Sequence, residues 1–359
     1  TIWPGENNFD ISLEDLVDVK HRRNIAMREA GSDVQLNFPY VEYVGDHRVT
    51  VVGSPTVSDV KTLMIGVRNP KKPGVVEMEP LCAEIWVNEL RLTDFNKDGG
   101  WAATATLQAQ LADFGQVTVA GLHSTAGFAS LDSKLNDVNL ESVTQFDVST
   151  DLQLGKFFPE KAGIRIPMHF DYSETHITPE YNPLDPDILL QDDLDSYVEK
   201  ENQDSVRRLV VDYTQRKNIN FMNIRKDRVG AKKPRIYDIE NFNFTYAYSE
   251  VYSRNVDIEY DLLQEYRGGF GYNFAMAPRN VKPFSKIGFI SRTKALALIK
   301  DFNFYYLPKS FSFSTEMNRS YGEMKLRDKS LGVIKIRPTY NKTWLWDRKY
   351  DLKFDLAQS

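Results

Sequence analysis

Strict alternation of apolar and polar residues recurs along the chain from Ala103 to Leu356, in about a dozen runs. Each run is close to the roughly 9–11 residues that cross a bilayer as a tilted strand. Because successive side chains of a strand point to opposite faces, each run builds one apolar and one polar face. The pattern is typical of a transmembrane antiparallel β-barrel, an all-β fold. A soluble β-sandwich would alternate in the same way, so periodicity alone leaves both folds open.

The clearest runs assign side chains to the two walls of such a barrel. If the strands form a barrel, the apolar wall faces lipid and the polar wall faces the lumen. The predicted lipid-facing residues are Ile166, Met168, Phe170, Phe242, Phe244, Tyr246, Phe270 and Tyr272. The predicted lumen-facing residues are Arg165, His169, Asp171, Asn241, Asn243 and Arg267. Further alternating runs include Val256–Leu262, Tyr266–Phe274 and Leu296–Tyr306.

Composition favours strands over helices as the elements that cross a membrane. The sequence has no stretch of about 18 consecutive apolar residues, which a spanning helix requires. Its mean hydropathy of -0.44 resembles that of a soluble protein, because barrel strands carry an apolar residue only at every second position. The 45 basic and 50 acidic side chains give a net charge of -5, so we expect no nucleic-acid partner.

The first 98 residues differ from the rest. Ser12 is placed to cap a short helix, and the short runs that follow, such as Leu63–Val67 and Ile85–Val87, predict a compact β-sandwich domain over residues 1–98. Residues 99–359 are predicted to supply the barrel strands, with a long loop insert at 174–216. A barrel segment leaves two sheet edges that lipid does not tolerate, so we expect a longer chain.

Loop lengths give a first orientation of the strands. Barrels of the bacterial outer membrane have short periplasmic turns and longer outer loops, which assigns the sandwich and the 174–216 insert to the outer side. The fairly long connection 225–238 falls on the opposite side and leaves this orientation open.

Acidic residues are concentrated within the insert. Carboxylates are the ligands that calcium prefers, but these lack the alternating ligand positions and central glycine of a known calcium loop. A solvated acidic face is therefore the prediction, with calcium binding as the alternative. The residues are Asp185, Asp187, Asp192, Asp193 and Asp195.

Enzyme chemistry finds little support. The five histidines show no paired metal-ligand spacing, and neither a Gly-x-Ser-x-Gly elbow nor a P-loop occurs. The single cysteine, Cys82, reads as a small buried apolar residue rather than a redox or metal group. We therefore predict no catalytic residues, no metal site and no cofactor.

Several long segments, spread from about residue 45 to 340, resemble the SprA/Sov family of Bacteroidetes cell-surface proteins. Such long shared stretches are far more specific than a short motif. The most similar segments are Glu84–Phe95, Gly99–Ala103, Leu111–Gly115, Tyr181–Asp187, Asn303–Ser310 and Asn318–Tyr321.

The resemblance implies the outer-membrane translocon of the type IX secretion system, a single-chain barrel that passes folded cargo and supports gliding motility in some species. It also implies partners: secreted cargo proteins, a plug protein on the periplasmic side, a PorV-type outer-membrane partner and outer-membrane lipid. Two alternatives stay open. A plugged nutrient receptor would need an N-terminal plug and an energy-coupling segment, and a soluble β-rich adhesin would be extracted without detergent.

Overall fold

The computed structural model describes residues 10–67, 82, 84–95, 98–129, 132, 134, 139–230, 234–284, 299, 301–328 and 336–357. The helices in these residues are α1 (Leu13–Arg28), α2 (Leu190–Asp195) and α3 (Lys200–Val210). The strands are β1 (Tyr40–Val44), β2 (His47–Val51), β3 (Ala102–Leu111), β4 (Gly115–Ser124), β5 (Glu141–Gln153), β6 (Ile164–Arg165), β7 (Pro167–Pro179), β8 (Tyr181–Asn182), β9 (Asp185–Leu189), β10 (Asp212–Lys226), β11 (Phe242–Arg254), β12 (Ile258–Ala275), β13 (Asn280–Val281), β14 (Phe304–Tyr305), β15 (Ser310–Leu326) and β16 (Thr339–Lys353).

One large sheet dominates the second of two units, which comprises residues 102–124, 143–178 and 211–359. Its strand order is β16-β15-β12-β11-β10-β7-β5-β4-β3, with β6 paired to β10 beside this path. From β3 onward the strands follow one another in chain order, and the pairs whose register is defined run antiparallel. The residue types suit this structure, since β11 and β15 are rich in aromatic residues, which favour strands.

Cross-strand register joins the side chains of neighbouring strands into rows, because directly paired residues share a face. One such row is apolar and consists of Phe170, Ile219, Tyr248 and Tyr266. The next row along the strands is polar and consists of Asp171, Asn218, Ser249 and Glu265. We call the two sides of this sheet the apolar face and the polar face.

The predicted alternation is present in the sheet. Seven of the eight predicted lipid-facing residues lie on strands and share the apolar face, together with Ile219 and Phe221 of β10; the seven are Met168, Phe170, Phe242, Phe244, Tyr246, Phe270 and Tyr272. Tyr272 pairs with Phe242 and extends the same face. Ile166 lies between β6 and β7, where its carbonyl accepts a hydrogen bond from Leu154 N at 2.9 Å.

Asn241 is not on a strand, which corrects its assignment to the barrel wall. It ends a short 3-10 turn, Ile239–Asn241, directly before β11. Its side-chain amide donates to the carbonyls of Arg235 at 2.7 Å and Ile236 at 3.2 Å, so it closes the preceding loop. The prediction extended the alternation one residue beyond the strand, because periodicity does not mark where a strand begins.

The runs also overestimate the number of wall strands. Val256–Leu262 and Tyr266–Phe274 lie largely in one strand, β12, because its three glycines do not interrupt pairing with β11 and β15. In the run Leu296–Tyr306, β14 pairs with β13 outside the large sheet, and Leu296 and Leu298 lie outside the described residues. Within the described residues, the path of the sheet thus contains nine strands, with β6 as a tenth.

The connections do not orient the sheet. β7 continues to Pro179 and β10 begins at Asp212, so the insert covers 180–211 rather than 174–216. The connection from β12 to β15, residues 276–309, is similar in length to the insert. It joins the strands at the end of the sheet opposite to the insert. Because long connections occur at both ends, the rule of short periplasmic turns does not discriminate here.

The other unit comprises residues 1–101, 125–142 and 179–210. Ser12 caps α1 as predicted, since its hydroxyl accepts a hydrogen bond from Glu14 N at 3.2 Å. β1 and β2 form a hairpin. Its buried apolar residues are Val19, Val51, Ile188, Leu190, Leu194 and Val210.

The predicted β-sandwich is not found in the described part of residues 1–98. Leu63–Val67 and Ile85–Val87 lie in chain without regular secondary structure, with most of their side chains exposed. Alternation is compatible with a strand, but a strand is stable only when another strand pairs with it, and these segments have no partner in the described residues. No helix in the described chain is both long and apolar enough to cross a membrane.

Candidate functional site on the polar face of the sheet

A groove of about 690 Å³ extends across the polar face of six strands, β7, β10, β11, β12, β15 and β16. Residues on the polar face of each strand line it, together with several of the residues between them, such as Ile219 and Tyr248. Most polar side chains that line it are amides and hydroxyls, which hydrogen-bond water without carrying charge. They are Asn218, Asn220, Ser249, Asn318, Ser320 and Thr343.

His169 is the centre of a charged cluster at one side of this groove. Its Nδ1 is 2.6 Å from Asp151 Oδ1, and its Nε2 is 2.6 Å from Asp171 Oδ2. Asp171 shares a face with His169 because the two are two residues apart on β7. Since both ring nitrogens are held by carboxylates, the imidazole is fixed in place rather than directed at a ligand.

Arg267 forms a second paired group in the groove. Its Nη2 donates to Glu316 Oε2 on β15 at 2.8 Å, and Asn318 donates to the other oxygen of the same carboxylate at 3.0 Å. The arginine remains 54% exposed. Charge on this part of the face is therefore balanced locally, which limits strong binding to any one charged ligand.

Arg165 and Asn243 share the polar face but lie nearer one end of the strands. Arg165 forms an ion pair with Asp227, which also binds Arg225 at 2.9 Å. Asn243 donates to Asn223 at 3.3 Å and covers Gly271 of β12, where any larger residue would collide with its side-chain oxygen. A larger residue at Gly271 would therefore require the Asn243 side chain to move.

Three of the six predicted lumen-facing residues, His169, Asp171 and Arg267, line the groove. The sequence interpretation missed the β10 contribution, although Asn218-Ile219-Asn220-Phe221 alternates as clearly as the runs that it used. Asn220 Oδ1 is buried without a hydrogen-bond partner. In the described residues, no group of three or more His, Cys, Asp or Glu side chains is arranged to hold a metal ion.

Acidic residues of the insert form a separate cluster within the N-terminal unit. Lys20 of α1 contacts Asp185 at 2.5 Å and Asp187 at 2.8 Å, and Asp187 is 1% exposed. The backbone N–H groups of Val57 and Ser58 also donate to Asp187, at 3.0 and 3.2 Å. We call Lys20, Asp185 and Asp187 the Lys20 cluster.

Burial acts to raise the pKa of Asp187, but the bonds from Lys20, Val57 and Ser58 outweigh it and hold the pKa below its ordinary value. Asp193 is likewise buried, and it accepts from Arg28 at 3.1 Å and from Asn182 at 2.7 Å. The predicted solvated acidic face is therefore wrong for these residues, whereas Asp192 and Asp195 are exposed. The sequence alone did not show that these carboxylates pair with Lys20 and Arg28 of α1, which are far away along the chain.

Cys82 is a free, exposed thiol, which corrects the expectation that it is buried. It lies in chain without regular secondary structure, and no strand among the described residues pairs with it.

The fold and this site describe a mostly β protein with one amphipathic antiparallel sheet. The chain belongs to the SprA N-terminal family, described as motility related/secretion protein, whose model matches residues 1–194, more than half of its length. The family membership predicted from the sequence segments is thereby confirmed, and it associates the chain with secretion and motility. A search of curated proteins finds no match.

Proposed function

We propose that the large sheet is part of the wall of a very large transmembrane β-barrel in the outer membrane. In this proposal the barrel is the protein-conducting translocon of type IX secretion, and folded cargo crosses it to the cell surface. The observation that carries the proposal is the amphipathic meander: in the described residues, nine strands follow one another in chain order, and the strands from β7 to β16 have one face rich in aromatic residues and one polar face.

Exposure of the apolar face supports a lipid environment. Phe244, Trp344 and Tyr350 are 50%, 64% and 66% exposed, although they lie on the same face. A continuous aromatic surface of this kind favours association in water, whereas bilayer hydrocarbon covers it without cost. The strands have 10–18 residues, enough to cross a bilayer at the usual tilt.

The open edges support a larger sheet. β3 and β16 each have one neighbour in the described residues, and nearly all of their side chains are exposed. Because lipid offers no hydrogen bonds to an unpaired edge, further strands would have to pair with both. Barrel diameter grows with strand number, so such a wall would enclose a lumen wide enough for a folded domain.

The polar face suits a channel that does not retain its cargo. Its amides and hydroxyls keep water in the lumen, and several of its charges are paired, as in Arg267–Glu316. We propose no catalytic step for this protein. Its proposed partners are secreted cargo proteins, a periplasmic plug protein, a PorV-type outer-membrane protein and outer-membrane lipid, and we propose no nucleic-acid partner.

Depletion of the full-length protein in its native cell tests the proposal. We expect a normally secreted protein to accumulate, folded, in the periplasm, while an unrelated outer-membrane protein reaches its usual location. Unchanged secretion would exclude the translocon. Extraction of the protein from membranes by carbonate without detergent would instead favour a soluble adhesin, and loss of nutrient uptake with normal secretion would favour a receptor.

A further inference from the structure

A short motif recurs three times on the apolar face. Tyr-Ser-Glu occurs at Tyr172–Glu174 of β7 and Tyr248–Glu250 of β11, and Tyr-Gly-Glu occurs at Tyr321–Glu323 of β15. In each motif the tyrosine and the glutamate are two residues apart and therefore share one face. We call these six residues the tyrosine–glutamate band.

Each carboxylate of the band is held by several donors. These are Tyr172, Tyr213 and Gln215 for Glu174, then Tyr248, Gln264 and Lys217 for Glu250, then Tyr260 and Tyr321 for Glu323. Tyr248 lies 2.5 Å from Glu250, and Tyr321 lies 2.6 Å from Glu323. The tyrosine rings therefore remain on the apolar face, while their hydroxyls donate hydrogen bonds to the carboxylate oxygens.

Register places five of the six band residues in two adjacent rows across six strands, and it places Tyr248 in the next row on the apolar side, where Tyr248 pairs with Ile219 and Tyr266. The first row is Tyr172, Lys217, Glu250, Gln264, Tyr321 and Lys342. The second row is Glu174, Gln215, Tyr252, Leu262, Glu323 and Tyr340. The apolar face thus changes character at one level on all six strands, toward the ends of β7 and β10 that connect to the insert.

The apolar zone on the other side of the band has the height of a bilayer. Its far row is Phe274, Phe311 and Leu352, which pair with one another across β12, β15 and β16. Ten residue steps along β15 separate Phe311 from Tyr321. At about 3.4 Å per residue and a tilt of about 40°, this distance corresponds to a height of about 26 Å, close to the apolar band of about 25 Å of membrane barrels.

Two arginines interrupt this zone, and both contact aromatic rings. Arg319 lies in the same row as Tyr248 and Tyr266, with its guanidinium 5.6 Å from the centre of the Tyr266 ring. A long side chain at this position reaches the band and water. Arg348 on the edge strand β16 lies 4.0 Å from the centre of the Trp346 ring, a contact that offsets part of its desolvation.

We infer that the tyrosine–glutamate band lies at the headgroup level of the bilayer, and that the strands continue beyond it into water on the side of the insert. This inference rests on the proposed function, because it requires the apolar face to contact lipid. Tyrosine suits this level since its ring is apolar and its hydroxyl is polar. The paired glutamates are tolerated here because their oxygens already accept hydrogen bonds.

Cysteine accessibility on β11 of the full-length protein tests the inference in native membranes, with Cys82→Ser as background. Phe244→Cys lies on the apolar side of the band and Tyr252→Cys lies in its outer row. Ala247→Cys and Ser253→Cys are the matched controls on the polar face. The probe is a charged maleimide that does not enter hydrocarbon, and reaction after denaturation in SDS gives the full signal for each variant.

We expect Tyr252→Cys to react at least tenfold faster than Phe244→Cys, while both controls react. Rapid labelling of Phe244→Cys and Tyr252→Cys alike would show that this face is in water, which overturns the proposed membrane wall and the inference with it. Protection of both would overturn the inference alone, because the bilayer or another cover would then extend past the band.

Discussion

The N-terminal unit and the large sheet differ in whether their apolar and charged residues are buried or exposed. The N-terminal unit buries Val19, Ile188 and Leu194 and encloses the charges of the Lys20 cluster with them. The sheet keeps Phe244 and Trp344 exposed and pairs its charges at the surface, as in Arg267–Glu316. The first pattern is that of a domain with its own core, and the second is that of a layer whose apolar cover lies outside the described chain.

Removal of Lys20 should give the largest effect. Lys20→Met would leave Asp187 buried with only two backbone donors, and breaking a buried ion pair in this way typically costs about 3–5 kcal/mol. We expect the N-terminal unit to lose protection against limited proteolysis at low protease in the full-length protein. Lys61→Met is the control, because its ion pair with Asp59 is exposed and worth roughly 0–1 kcal/mol. Equal proteolysis of the two variants would contradict a buried cluster.

A charge on the apolar face should have the next largest effect. Phe244→Lys should destabilise the sheet by about 2–4 kcal/mol in lipid, because the ammonium would lie within the apolar zone. Ser249→Lys, on the polar face of the same strand, should change the free energy of unfolding little. The measurement is urea unfolding in liposomes. Asn243 is a poorer control, since it covers Gly271. Equal tolerance at the two sites would argue against a lipid-facing wall.

Acid should weaken the N-terminal unit through Asp187. The pKa of this carboxyl is lower in the folded state than in the unfolded state, so its contribution is fully present above the unfolded value of about 3.9. The contribution is lost as the pH falls through the folded pKa. We expect protection against proteolysis by an acid-active protease to fall below about pH 4. The double variant Lys20→Met, Asp187→Asn should lose this component of the pH dependence, and an unchanged profile would exclude Asp187 as its source.

The faces of the sheet were predictable from sequence because alternation is a local property. Met168, Phe170 and Phe244 required only the parity of their positions on a strand. Strand ends were less predictable, as Asn241 shows, because a strand ends where its partner ends. The partner is a long-range feature that one run of residues does not contain.

The Lys20 cluster was not predictable for a related reason. Lys20 and Asp187 are 167 residues apart, and no pattern in the sequence links the two positions. The tyrosine–glutamate band was predictable in part. Its three motifs are visible in the sequence, but their alignment across six strands depends on the register of the strands. Sequence thus indicates which residues share a face, whereas the pairing of strands decides which residues meet.

Substitution of Arg267 should have the smallest effect on the free energy of unfolding. Its size tests whether water or another protein surface covers the polar face. Its pair with Glu316 is half exposed, so Arg267→Gln should change the free energy of unfolding by less than about 1 kcal/mol. Glu316→Gln and the double variant complete a cycle that measures the pair itself. A loss above about 2 kcal/mol would mean that the pair is desolvated and that another protein surface covers this face. A small interaction free energy for the pair means that water fills the groove, as a conducting lumen requires. A wall whose charges were held by a fixed protein partner would leave no path for cargo.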